Sequence, residues 1–260
     1  MAKRATKQKG QVPQEQSSTK QVKSKRRVAD HGEVFTAERE VKAMCDLVKP
    51  ETERIDSRFL EPACGEGAFL TEILRRKLAV VTRKYKRSVY DWERFSLLAL
   101  GSLYGVDILL DNVLACRKRL LDIWDTEYSA VCKKECNDET HASARYILDR
   151  NIVCGNALTL MCVDAHGEEL NVPIVFSEWS FPLNDARMHR KDYTMAELLE
   201  ASEQTEQIEQ TGQYTFFANE DGEVEPTLLR EYSCHYRSIF KTDDTGTETE
   251  KEEYDGGRFI

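Results

Sequence analysis

The fold of this chain follows from residues 59–70, which read Phe59-Leu60-Glu61-Pro62-Ala63-Cys64-Gly65-Glu66-Gly67-Ala68-Phe69-Leu70. A short apolar segment precedes a tight turn with two glycines separated by one residue. Beyond the turn, Leu70, Ile73 and Leu74 have the spacing of a helix face. We therefore predict a strand, a glycine loop and a helix start. Glycine permits positive φ and close approach of a ligand, and the N–H groups of a helix N-terminus point over the loop, so this arrangement suits a nucleotide-like ligand.

The loop differs from the dinucleotide fingerprint G-x-G-x-x-G, because Leu70 stands three residues after Gly67. It resembles instead the first motif of S-adenosylmethionine-dependent DNA methyltransferases of the adenine-N6 type, which typically reads D-P-A-C-G-S-G-x-F. The resemblance implies an α/β, Rossmann-like methyltransferase fold with a mostly parallel sheet, and S-adenosylmethionine as the cofactor. The implied cofactor residues in the loop are Glu61, Pro62, Ala63, Cys64, Gly65, Gly67 and Phe69. The alternative is a strand-to-helix turn that binds no ligand.

A second element of the family stands ahead of the loop. Residues 31–36 lead into a predicted helix that Thr36 is placed to cap. The apolar residues expected on one face of this helix are Val41, Met44, Leu47 and Val48. In the family, a Gly-x-Phe-Thr-Pro element contacts the methionine part of the cofactor. Gly32, Phe35 and Thr36 stand in similar order, with Ala37 in place of the proline, so the resemblance implies that Phe35 and Thr36 contact the cofactor. An ordinary helix cap is the alternative.

A second predicted strand, residues 103–108, ends in an acid. Nucleotide-binding α/β folds place an acid there to accept hydrogen bonds from ribose hydroxyls, which makes Asp107 a candidate. The family's second motif similarly ends in Gly-x-Asp-Ile, so Ile108 is included with Asp107 at the implied cofactor site. The separation from Glu61 is longer than usual, and a predicted helix over residues 90–100 accounts for it. The alternative is an acid that caps the next helix.

A third predicted strand and turn occupy residues 151–158. The family usually has Gly-Asp-Ala-Leu here, and its acid accepts from the adenine amino group of the cofactor. Asn156 replaces that acid; it retains an acceptor oxygen but loses the charge. The resemblance therefore implies a cofactor contact from Asn156, and a purely structural turn is the alternative.

The catalytic motif of the family is missing. Adenine-N6 transfer uses an Asp/Asn-Pro-Pro-Tyr/Phe loop, whose acceptors hold the target amine and whose ring stacks on the flipped base. No two of the six prolines of this chain are adjacent. The nearest substitute is a predicted strand over residues 173–182, in which Glu178 is a candidate acceptor and Trp179 a candidate stacking ring. The alternative is an insertion whose aromatic residues pack in the core.

Charge is distributed unevenly along the chain, whose net charge is -9. Residues 1–30 carry nine Lys/Arg against two acids, and residues 197–260 carry seventeen Asp/Glu against five Lys/Arg. We predict a disordered basic arm over 1–30, a cofactor-binding core over 31–195 and an acidic helical and irregular extension over 196–260. Any DNA surface is expected toward the N-terminal side, because the acidic end repels phosphates, and the alternative is that both ends are solvated tails. The basic run at 83–87 either follows a nucleic-acid backbone or is a solvated helix face.

The eight cysteines show no paired framework, and no apolar run is long enough to span a bilayer. We therefore expect reduced thiols in a cytoplasmic protein without membrane contacts. Cys132, Cys136 and His141 come closest to a metal pattern, but they offer three ligands where zinc usually takes four. No metal site is predicted.

These features together predict a DNA adenine-N6 methyltransferase of a restriction-modification or related system. Its fold is expected to be incomplete at the C-terminus, since a parallel strand beside the first is missing. The Pro-Pro loop and the target-recognition region are expected to follow Ile260 or to sit on a partner chain. One alternative is a non-catalytic cofactor-binding or DNA-docking subunit. Another is a methyltransferase acting on RNA, protein or a small molecule, because the loop reports the cofactor and not the acceptor.

Overall fold

The structure is a computed structural model that describes residues 36–206 and 226–242. The chain divides into two units, Met1–Ala37 and Glu38–Ile260. Of the first unit only Thr36 and Ala37 are described, so the predicted basic arm and Phe35 lie outside the described residues.

Helices predominate in the first part of the second unit, and five strands follow one another between Ile152 and Thr194. The α-helices of the described part are α1 (Glu38–Leu47), α2 (Lys49–Thr52), α3 (Ala68–Tyr85), α4 (Val89–Gly101), α5 (Leu110–Cys132), α6 (Asp138–Asn151) and α7 (Met195–Glu206). The strands are β1 (Phe59–Glu61), β2 (Leu103–Asp107), β3 (Ile152–Asn156), β4 (Met161–Val163), β5 (Glu169–Pro173), β6 (Val175–Ser180), β7 (Arg187–Thr194) and β8 (Arg230–His235). Short 3-10 helices span Lys133–Glu135 and Tyr236–Lys241.

The first sheet has five strands in the order β1-β2-β3-β4-β5. Its first three strands are parallel, with Glu61 opposite Gly105 and Asp107 opposite Cys154, and β4 and β5 extend it in antiparallel pairing. The predicted α/β class is confirmed, and α4 is the extra helix that was expected to lengthen the path to β2. Within the described residues β1 is an edge strand whose three residues are all partly exposed, whereas β2 is buried as far as Val106.

A second, antiparallel sheet has the order β6-β7-β8. Within the predicted extension over 196–260, residues 226–242 include β8, which pairs with β7, and a 3-10 helix that packs on the main core. Tyr236 and Ile239 are each 1% exposed there. The carboxylate of Glu93 on α4 also holds this segment, because it accepts hydrogen bonds from the hydroxyl of Tyr236 at 2.6 Å and from Arg237 at 2.6 Å.

The core is built from the inner faces of the helices against the first sheet. Helix α3 buries Leu70, Ile73 and Leu74, as the spacing predicted, and the indoles of Trp92 and Trp124 are fully buried. The prediction for α1 is wrong in part. This helix buries Val41 and Cys45, whereas Met44 and Leu47 on it and Val48 just after it are exposed, at 53%, 84% and 46%. Residues 41 and 45 are an i, i+4 pair, so they lie on one face, and this is the face that packs against α3.

Candidate functional site

The glycine loop connects β1 to α3 and has the predicted conformation. The N–H of Cys64 donates to the carbonyl of Val106 at 2.9 Å, and the N–H of Gly67 donates to the carbonyl of Cys64 at 2.8 Å. Gly65 and Gly67 have φ of 51° and 77°, in the left-handed region that favours glycine. A Cβ atom at Gly67 would lie 2.5 Å from Sγ of Cys116. Gly67 is therefore required by conformation and by space.

Helix α3 begins directly after the loop. Gly67 is its N-cap and supplies no side-chain acceptor, and the first turn carries no acidic residue. The first N–H groups of a helix lack intrahelical partners and form the positive end of its dipole. This end of α3 thus offers donors toward the space above the loop.

Asp107 connects the loop to the helix that follows β2. Its Oδ2 accepts from the N–H of Gly65 at 2.8 Å. Its Oδ1 accepts from the N–H of Leu109 at 2.9 Å and from Nδ2 of Asn112 at 3.3 Å. The carboxylate therefore holds the loop through Gly65 and is tied to the start of α5 through Leu109 and the side chain of Asn112. Since an ionised carboxylate has about four lone-pair sites, these three bonds leave capacity for a further donor.

Glu61 ends β1, on the strand next to Asp107. Burial raises the pKa of its partly exposed carboxyl group, and the N–H of Ala63 opposes that shift by hydrogen bonding. Within the described ranges no Lys, Arg or His side chain forms an ion pair with Glu61. A partly desolvated carboxylate without a cation is suited to bind a positively charged group of a ligand.

The candidates beyond the loop lie at the same carboxyl edge of the sheet. The carbonyl of Ile108 accepts from Sγ of Cys154 at 3.8 Å, which ties the end of β2 to β3. The side chain of Asn156 is engaged within the turn after β3: Oδ1 accepts from the N–H of Leu158 at 3.0 Å, and Nδ2 donates to Glu169 at 3.0 Å. The geometry of Asn156 is that of the structural turn, and its predicted cofactor contact stays a prediction.

The remaining loop candidates divide into exposed and buried residues. Pro62 and Ala63 are exposed, whereas Phe69 packs against the core. Cys64 is 6% exposed. A hydrogen bond with Cys116, together with burial, raises the pKa of the Cys64 thiol well above its usual range, so this thiol stays neutral and fills space beneath the loop. The roles predicted for Phe35 and Thr36 stay predictions.

The two weak catalytic candidates on β6 are occupied by other contacts. Glu178 forms an ion pair with Arg58, which precedes β1, whereas the glycine loop follows β1. Glu178 therefore lies toward the opposite end of that strand from the loop. Trp179 is 4% exposed and packs on Gly101, with its ring centroid 6.1 Å from that of Tyr146. These contacts match the alternative interpretation, in which the aromatic residues of this segment belong to the core.

The basic run lies far from the loop. Residues 83–87 include the exposed Arg83, Lys84, Lys86 and Arg87, at the C-terminal end of α3 and just beyond it. Because α3 has 18 residues, a rise of about 1.5 Å per residue puts this end about 27 Å from its N-terminus. A neighbouring groove of 860 Å³ also contains acidic side chains, including Asp122 and Glu127. The position fits a solvated helix end better than a path for DNA entering at the loop.

Sequence reasoning missed two residues at the loop, Cys116, which packs against Gly67, and Arg119. Arg119 on α5 donates from Nη1 to the backbone carbonyl of Glu66 at 2.7 Å. The sequence signal for Arg119 is the apolar periodicity of α5: Cys116 and Leu120 mark its buried face, and Arg119 lies next to that face. The periodicity alone does not reveal that the glycine loop is the neighbour.

Two further properties concern the described ranges as a whole. They contain no group of three or more His, Cys, Asp and Glu side chains arranged to hold a metal ion. Among their helices, none combines the length and the apolar character that crossing a bilayer requires.

Comparison with known proteins does not supply a family. No protein-family model, curated protein or solved structure matches this chain. The functional assignment therefore depends on the residues and geometry of the loop.

Proposed function

We propose that this chain binds S-adenosylmethionine over its glycine loop, as the cofactor-binding part of a DNA adenine-N6 methyltransferase of a restriction-modification or related system. The finer fold class, a Rossmann-like methyltransferase fold, is part of this proposal. The observation that carries it is the placement of Glu61 and Asp107 at the ends of adjacent parallel strands, on either side of a glycine loop with two left-handed residues. Ligands of open α/β sheets bind at this carboxyl edge.

The donors and acceptors at this edge fit the chemistry of the cofactor. Glu61 has no cationic partner within the described residues and suits an ammonium group. Asp107 has acceptor capacity for a ribose hydroxyl, and the N-terminus of α3 offers N–H donors for a carboxylate. When bound, S-adenosylmethionine supplies an electrophilic methyl group. The residues of this chain bind and orient it.

The groups that would hold a target adenine have to come from elsewhere. The sequence contains no Asp/Asn-Pro-Pro-aromatic motif. Within the described residues β1 is an edge strand and all its residues are partly exposed, which leaves its outer side available to a further strand. A following segment or a partner chain that carries the Pro-Pro loop and the target-recognition region completes the proposed enzyme.

A second candidate function is a non-catalytic cofactor-binding or DNA-docking subunit. The burial of Trp179 and the ion pair of Glu178 favour it over catalysis by this chain alone, because neither side chain is free to hold a flipped base. Incubation of the chain with methyl-labelled cofactor and an adenine-containing duplex separates the two: incorporation of label contradicts the non-catalytic function. Label transferred only to RNA, protein or a small molecule would identify a different acceptor.

The cofactor site itself is tested by calorimetry of the full chain with S-adenosylmethionine. Glu61→Gln removes the charge but keeps the shape, and we expect about a tenfold loss of affinity, equivalent to about 1.4 kcal/mol. Asp164→Asn is the matched control, because Asp164 is a carboxylate of the β4–β5 turn whose hydrogen bonds come from the N–H groups of His166 and Glu168. Equal affinities of the two variants would contradict the assignment of Glu61.

A further inference from the structure

One continuous segment, residues 107–119, contacts three successive residues of the glycine loop. Asp107 accepts from the N–H of Gly65 at 2.8 Å. Arg119 donates to the carbonyl of Glu66 at 2.7 Å. Sγ of Cys116 occupies the space beside Gly67 where a Cβ would be. The loop is therefore held by the end of β2 and the first half of α5.

The contact of Arg119 acts on the peptide unit between Glu66 and Gly67. The carbonyl of Glu66 and the N–H of Gly67 belong to this one planar group, so they turn together. The N–H donates to the carbonyl of Cys64 at 2.8 Å, while the carbonyl accepts from Arg119. Glycine populates positive and negative φ about equally, so Gly67 by itself does little to prevent this peptide unit from turning over. A turn-over would break both hydrogen bonds.

We propose that Arg119 is a positioning residue for the glycine loop: its guanidinium selects the orientation of the Glu66–Gly67 peptide unit in which the loop binds cofactor. The inference deepens the proposed function and rests on it for the identity of the ligand. Arg119 touches only the backbone of the loop in this role, and its effect on the ligand passes through that peptide unit.

The same helix provides a matched control. Arg117, two residues earlier, also donates to backbone carbonyls, from Nε to Ile152 at 2.8 Å and from Nη2 to Asp149 at 3.0 Å. Its contacts reach the junction of α6 and β3. Arg117→Met therefore removes a guanidinium and its carbonyl contacts from α5 without touching the loop, whereas Arg119→Met removes the loop contact.

Two measurements on the full chain test the proposal: hydrogen–deuterium exchange of peptides covering residues 61–67, and calorimetry with S-adenosylmethionine. For Arg119→Met we expect faster exchange in these peptides and about a tenfold loss of affinity, the size of a hydrogen bond to a charged donor. Arg119→Lys retains a cationic donor and should recover part of both effects. Arg117→Met should change neither.

The results of these two measurements distinguish a positioning role of Arg119 from a role in general stability. Unchanged exchange and affinity in Arg119→Met overturn the positioning role. Exchange that rises throughout α5 and the first sheet, equally in Arg119→Met and Arg117→Met, also overturns it, because the residue would then serve general stability. Failure of the unmodified chain to bind S-adenosylmethionine refutes the proposed function, while the exchange measurement still decides whether Arg119 holds the loop.

Discussion

Replacement of Gly67 with alanine should destabilise the protein through two separable effects. The first is conformational, because an L-residue in the left-handed region costs about 1–2 kcal/mol, and φ at Gly67 is 77°. The second is steric. The added Cβ would lie 2.5 Å from Sγ of Cys116, which is fully buried and has little room to move. Overpacking of this kind costs about 1–3 kcal/mol, so we expect a total loss of about 2–5 kcal/mol.

Gly167 is the control for the conformational part. Its φ is 85°, yet nothing lies within 4 Å of the position that its Cβ would take. Gly167→Ala should therefore lose only about 1–2 kcal/mol. Urea unfolding of both variants measures the two free energies of unfolding. Cys116→Ala in the Gly67→Ala background should restore part of the loss, which a double-mutant cycle reveals as favourable coupling. Equal losses at Gly67 and Gly167, with no coupling to Cys116, would refute the packing argument.

Three further predictions concern buried charge and the acid of β2. Burial lowers the pKa of Lys77 from 10.5 to about 7. Between these two pH values the unfolded chain binds more protons than the folded protein, so the free energy of unfolding should rise with pH. Lys77→Met should remove this rise, as measured by urea unfolding at several pH values. Glu93→Ala should lower the free energy of unfolding by about 3 kcal/mol, because it leaves the buried Tyr128 and Tyr236 hydroxyls without their acceptor. Chemical denaturation measures this loss, and a value below about 1 kcal/mol would contradict the prediction. Asp107→Ala should weaken S-adenosylmethionine binding by about 1–3 kcal/mol in calorimetry. Asp164→Ala, in the β4–β5 turn, is the control and should leave the affinity unchanged. Equal effects of the two substitutions would contradict the assignment of Asp107 to the cofactor site.

The local elements at the loop were predictable from the sequence. Apolar periodicity and glycine placement predicted the strand, the loop and helix α3, and strands were also predicted within 103–108 and 151–158, where β2 and β3 lie. These signals are local, because turn chemistry and helix spacing depend on neighbouring residues. The α/β class follows from the alternation of such elements.

Long-range packing was not predictable to the same extent. Met44 and Leu47 belong to the predicted apolar face of α1, yet this helix buries Val41 and Cys45 and leaves those two side chains exposed. Residues 226–242 are held in part by a hydrogen bond from Tyr236 to Glu93, which stands more than 130 residues earlier. The acidic composition of this part of the sequence gives no sign of that contact. Likewise, the contact between Arg119 and Glu66 joins positions that are 53 residues apart. Such contacts depend on topology, which the pattern of apolar and polar residues does not encode locally.

The central claim is that the glycine loop of this chain binds S-adenosylmethionine. Isothermal titration calorimetry of the full chain with this cofactor tests it most directly. The account predicts saturable binding to one site, weakened in Glu61→Gln and in Asp107→Ala and unchanged in Asp164→Asn. Absence of binding, or equal affinity in all these variants, would contradict it.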